Sequence, residues 1–231
     1  MISKFFYYSK IIFINLLILY FFLYIFEIGL NYKKDKLFQK TRLNYLNHQK
    51  NDNPNQKLYL NVGAYKFIDK NFEILPLSGY NNSKILLCLD EKNKPVYFVS
   101  DENGFNNQKI NKENDFLLIG DSYIQGMCVN TEENLNSQFL KLSYNTVSLG
   151  VGGNGPLLEL ATFKEYIDNY RYKDIILFIT PSNDFKDLSG ESKNQVLLNY
   201  LHQKNYKQNL KSNKNEELKK KNFRQFFWKK N

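Results

Sequence analysis

A serine hydroxyl attacks an ester only when a base takes its proton, and the resulting transition state needs N–H donors around the developing oxyanion. The 231-residue chain places one serine where such chemistry is commonly staged. Residues 115–119, Asp-Phe-Leu-Leu-Ile, form a short apolar run of strand type that breaks at Gly120-Asp121-Ser122, with Gly126 just beyond. Ligands in open α/β sheets sit outside the carboxyl ends of the strands, which makes Ser122 the candidate nucleophile. A plain helix-capping turn accounts for Asp121 and Ser122 as well. A partner base is the difficulty, because His48 and His202 are the only histidines. His202 ends the pattern Val196-Leu-Leu-Asn-Tyr-Leu-His202, which reads as an amphipathic helix rather than a loop returning to Ser122.

Two further segments follow in order. Ser148-Leu-Gly-Val-Gly-Gly153-Asn-Gly-Pro156 is rich in glycine, and Ser182-Asn183-Asp184 comes after the apolar run 174–180. With Gly120-Asp121-Ser122, these resemble the first three blocks of the SGNH, or GDSL, hydrolase family, and the resemblance covers residues 101–188. It implies a flavodoxin-like parallel sheet flanked by helices. By resemblance Ser122 is the nucleophile, its own N–H, that of Gly153 and the Asn183 carboxamide form the oxyanion hole, and Asp121 supports the turn. Asp184 is read as structural. Asp101-Glu-Asn-Gly-Phe105 resembles the segment found before the first block in membrane-anchored members.

The match has departures. Pro181-Ser182 stands where the family often has glycine, and Ser148 where it often has asparagine. The family's last block, Asp-x-x-His, has no counterpart after residue 188, so the expectation is a core incomplete at its C-terminus, a truncated member holding the nucleophile half of a site. The resemblance implies ester hydrolysis or O-acyl transfer on an O-acyl ester, with a cell-envelope polysaccharide as substrate class. The alternative is a catalytically dead module that binds carbohydrate or protein at the membrane.

Gly150-Val-Gly152-Gly-Asn-Gly155 also fits the dinucleotide fingerprint between a strand and a helix. That fingerprint wants an acid at the end of the next strand, and the next strand ends in Phe178-Ile-Thr-Pro181. The glycines are better explained by close packing beside Ser122, and no cofactor is expected.

Elements must then position these blocks. Thr146-Val-Ser-Leu149 reads as a second strand, residues 156–170 as a helix with proline in its first turn, and 175–180 as a third strand. Alternation of strand and helix implies a parallel sheet. Upstream, Ile85-Leu-Leu-Cys-Leu89 and Pro95-Val-Tyr-Phe-Val99 flank a polar turn as a hairpin does. The organisation is a transmembrane signal anchor over 1–30, a linker over 31–56, a β-rich lead-in over 57–112, an α/β core over 113–190 and a basic helical tail over 191–231.

The anchor rests on residues 11–26, apolar except for Asn15, which with aromatic flanks approaches the ~20 residues needed to cross a bilayer. No cleavage site of small residues follows it. Lys4 and Lys10 precede the span but five basic residues, Lys33 to Arg42, follow it, so charge does not favour an outer domain. The family resemblance does, and the soluble part is expected on the outer side of the cytoplasmic membrane.

Of the net charge of +9, eight lie within residues 201–231, where ten Lys or Arg meet only Glu216 and Glu217. The body is close to neutral and carries no nucleic-acid signature, so no nucleic-acid partner is expected. The tail's aromatics interleaved with Lys and Arg suit an anionic membrane surface, or a helix whose partner is missing. Cys88 and Cys128 make neither a metal site nor a disulfide framework by spacing; a packed thiol is the expected state of each, and pairing with one another in an oxidising compartment is the alternative. No metal is expected, and the sequence names no protein partner.

Overall fold

A computed structural model describes residues 2–52, 57–69, 72–108 and 110–228. The chain divides into two compact units, Met1–Asn47 and His48–Asn231. It is a mixed α/β protein with two small sheets and, among the described residues, seven α-helices.

The first unit is helical, part of α1 (Ile2–Asp52). The stretch from Ile12 to Phe26 exposes large apolar side chains at every position but Asn15, so no face is reserved for a protein core. The 38 residues Ile12–Gln49 are long and apolar enough to cross a membrane, with a mean hydropathy of 2.2 in the most apolar window and none of that window buried. A signal sequence has the same properties. The helix runs on through residues 31–52, within the segment 31–56 whose polar composition suits a juxtamembrane linker. Lys, Leu, Gln and Arg favour helix, and no proline occurs before Pro54.

The second unit begins with the lead-in sheet. Strands β1 (Leu58–Leu60), β2 (Lys84–Leu89) and β3 (Pro95–Val99) lie in that order, β1 parallel and β3 antiparallel to β2. The hairpin forms because the Asp90 carboxylate accepts the N–H groups of Lys92 and Lys94 at 2.8 and 2.7 Å. Ile85 to Cys88 in β2 are buried on both faces.

The α/β half has three strands, β4 (Asn114–Ile119), β5 (Thr146–Ser148) and β6 (Tyr172–Leu177), in the order β5-β4-β6 and all parallel. Central β4 buries Leu117 and Leu118 completely. Around the sheet stand α2 (Ser122–Gln125), α3 (Leu135–Lys141), α4 (Pro156–Tyr166), α5 (Asp184–Glu191) and α6 (Gln195–His202). The third strand begins at Tyr172, three residues before the apolar run suggests, because Asn114 in β4 pairs with Tyr172. On β6, Ile175 and Leu177 alternate and remain 44% and 53% exposed, and Ile179 just beyond the strand is 61% exposed.

The segment after α5 is not a detached tail. Helix α7 (Asn213–Trp228) buries Phe223, whose ring meets Phe67 at 5.5 Å and Tyr80 at 4.7 Å between centroids. Of the two readings of the tail's aromatics, a membrane surface or a helix whose partner is missing, neither describes Phe223, which packs within the unit. Phe223 is already covered by lead-in rings, while Lys214, Lys221 and Arg224 keep to the solvent side. Residues 203–210 are fixed to α4 by Glu165, which accepts from Tyr200 Oη and from the N–H groups of Gln208 and Leu210 at 2.5, 2.9 and 2.6 Å.

The packed-thiol expectation is also corrected. Cys88 in β2 and Cys128 beyond α2 are joined in a disulfide, their Cα atoms 5.5 Å apart across 40 residues of sequence. Sequence spacing missed it because only folding brings the lead-in against the Ser122 turn. A cross-link of that span contributes about 4 kcal/mol by restricting the unfolded chain. Replacing both cysteines by alanine is expected to lower the urea midpoint by several-tenths of its value, and reductant is expected to do the same to the natural protein. An unchanged midpoint in both would contradict the cross-link.

Candidate functional site

Ser122 opens α2 directly beyond the carboxyl end of β4. Asp121 is the cap, its Oδ1 accepting the Tyr123 N–H at 3.0 Å. The helix stops after one turn because Gly126 takes a left-handed conformation, φ +72°. Ser122 is half-buried, and its hydroxyl has no hydrogen-bond partner among the described residues. His202 is exposed at the end of α6 and makes no hydrogen bond to Ser122.

The glycine loop lies beside this turn, and a Cβ built on Gly152 would stand 3.7 Å from Ser122 Cβ. Gln125 holds the two together. Its Oε1 accepts the Gly152 N–H and an Asn61 amide hydrogen, each at 2.9 Å, and its own amide returns a bond to Asn61 Oδ1 at 2.9 Å. Gly153 must be glycine, since φ is +79° and a Cβ would meet the Tyr65 ring at 2.4 Å. Its N–H has no partner among the described residues, whereas that of Gly152 is committed to Gln125. The backbone N–H groups of Ser122 and Gly153, the donors that the resemblance implies, have no partner among the described residues, and neither has that of Ile124.

Asn183 is brought to the site but not as a free donor. Its Nδ2 donates to Asp121 Oδ2 at 3.2 Å and to Asp187 Oδ2 at 3.3 Å, so both amide hydrogens face carboxylates. Asp184 follows it, buried, with Oδ2 accepting the Thr180 N–H at 2.6 Å and Oδ1 unpartnered.

Behind the turn is a group of acids that the sequence does not single out. Asp121, Glu159, Asp184 and Glu191 are each buried. Glu191 spans the start of α4, accepting from Gly155, Leu157 and Leu158 N–H at 2.7, 2.8 and 3.3 Å. Its negative charge answers the positive end of that helix dipole. A dinucleotide would need the same N-terminus for its pyrophosphate, and Glu191 already fills it with like charge, which argues against the fingerprint reading of Gly150, Gly152 and Gly155. Nothing in the sequence marks Glu191, because its partners lie more than thirty residues away. Glu159 looks like an ordinary first-turn acid. Burial, then the charges of Asp184, Asp121 and Glu191, push its carboxyl up to about 8, so it is protonated at neutral pH. Asn154, also buried, leaves both side-chain polar atoms without a partner.

No protein-family model matches the chain, and no curated protein or solved structure gives a significant match.

The raised Glu159 makes stability depend on pH in a definite sense. Its folded-state value lies above the ordinary 4.5, so its contribution is complete below about 4.5 and is lost as pH climbs through about 8. Glu159→Gln is expected to flatten the fall in melting temperature between pH 6 and pH 9. An equal fall in the variant would show that Glu159 does not carry the effect.

Proposed function

We propose that Ser122 is the nucleophile of a membrane-anchored serine ester hydrolase or O-acyltransferase of the SGNH, or GDSL, type, acting on O-acyl esters of cell-envelope carbohydrate. The observation that carries this reading is the position of Ser122 at the carboxyl end of the central parallel strand and beside the glycine loop, where a Cβ on Gly152 would stand 3.7 Å from Ser122 Cβ and the following Gly153 has no N–H partner among the described residues. A strand order of second, first, third, all parallel, supports the flavodoxin-like arrangement.

In the reaction, Ser122 Oγ bonds to the ester carbonyl carbon as its proton passes to a base. The oxyanion is held by the N–H groups of Ser122 and Gly153. Collapse breaks the carbon–alkoxy bond, and the leaving sugar oxygen takes the proton. Water or an acceptor hydroxyl then removes the acyl group from Ser122. Asn183 joins the oxyanion donors only when its amide turns from Asp121 and Asp187. The base is a group that is not hydrogen-bonded to Ser122 before substrate binds, since none of the described residues bonds the Ser122 hydroxyl.

The apolar N-terminal helix supports attachment to a membrane, and the disulfide supports an oxidising compartment, hence the outer side of the cytoplasmic membrane. One observation favours the second reading, a catalytically dead module that binds carbohydrate or protein: Asn183 spends both amide hydrogens on carboxylates.

Incubating the detergent-solubilised full chain with a fluorophosphonate and weighing the intact product distinguishes the two. A single adduct, absent in Ser122→Ala, is expected for the enzyme. An unreactive serine in a chain that still binds an envelope polysaccharide would establish the binding module instead.

A further inference from the structure

Away from Ser122, the lead-in and α7 enclose a cleft of about 210 Å³ whose wall includes Lys219, Lys211, Glu102, Glu216, Asn103 and Tyr166. Lys219 is only 2% exposed. Its ammonium donates to Asn81 Oδ1 at 2.6 Å and to Ser78 Oγ at 3.4 Å, and Ser78 is in turn bonded to Tyr166 Oη at 3.0 Å. Among the described residues no carboxylate lies within ion-pair distance of it.

A buried ammonium whose nearest opposite charges, Glu216 and Asp101, stand beyond ion-pair distance is costly, and helix α7 carries this one into the core all the same. Burial lowers the lysine to about 8, which leaves it mostly charged at neutral pH. An ammonium has three donors and two are committed. Asn81 cannot turn to take its place as a donor, because its amide hydrogens are held by Glu102 O and the Glu216 carboxylate, which fixes its oxygen on Lys219. Asn103 gives one amide hydrogen to Tyr170 Oη at 2.7 Å and has a second to give. Donors for an anion are therefore assembled at the wall.

The lining carries two cations, Lys211 and Lys219, and two anions, Glu102 and Glu216. A phosphate dianion would meet both glutamates, whereas a molecule with one carboxylate and one ammonium matches both signs. We propose that this cleft is a binding site for a small zwitterion of the amino-acid type, its carboxylate held by Lys219 and Asn103 and its ammonium by Glu102 and Glu216. The site does not depend on the chemistry of Ser122.

Calorimetric titration of the full chain in detergent, with glycine, acetate, methylammonium and inorganic phosphate as separate probes, tests it. Glycine is expected to bind saturably and more tightly than acetate, with no binding of methylammonium or phosphate. Lys219→Met is expected to weaken glycine at least ~10-fold. Since that variant removes a buried group and can fail to fold, Glu102→Gln provides the second arm: it is expected to weaken glycine while leaving acetate unchanged. The proposal is overturned if glycine shows no saturable binding tighter than ~10 mM. Preference for phosphate overturns it too, as does unchanged glycine affinity in a folded Lys219→Met or in Glu102→Gln.

Discussion

The Asp121 carboxylate is the interaction on which the candidate site stands. One oxygen accepts the Tyr123 N–H and so turns the chain from β4 into α2, which presents Ser122. The other accepts from Asn183 beyond β6, so the ends of two neighbouring parallel strands are joined through one side chain. An unpaired buried carboxylate would be costly, and here both oxygens are engaged. The same bond imposes a constraint, because the amide that satisfies Asp121 is withdrawn from the place where an oxyanion would form.

A second set of contacts fixes the glycine loop. Gln125 and Asn61 exchange two hydrogen bonds while Gln125 also holds Gly152, so the lead-in, the Ser122 turn and the loop move as one piece. The disulfide adds a covalent tie between the lead-in and the far side of the turn. The lead-in is thus part of the site's support. Glu191 performs the equivalent task for α4, closing its N-terminus from a helix far along the chain.

Much of this could be read from the sequence wherever the signal was local. The apolar run before Gly120, the proline opening α4 and the hairpin about Asp90 each rest on neighbours in the chain, and each forms. What escaped the sequence is contact across long separations. Cys88 and Cys128 gave no motif, Glu159 and Glu191 look like solvent-facing helix acids, and Lys219 sits in a run of lysines that reads as a charged surface. Phe223 was misread for the same reason, since its partners Phe67 and Tyr80 belong to the other end of the unit. Residues 31–52, whose polar composition suits a linker, also hold good helix formers and are helical.

The proposal is that Ser122 and the Gly153 N–H serve acyl transfer once a base takes the serine proton, with the Asn183 amide held on carboxylates at rest. Free imidazole supplies one from solution, so hydrolysis of p-nitrophenyl acetate should be measured against imidazole concentration for the natural chain and for Ser122→Ala. The account predicts a rate that rises with imidazole beyond the background reaction in the natural chain and follows the background in the variant. Equal rates in the two proteins at every imidazole concentration would contradict it.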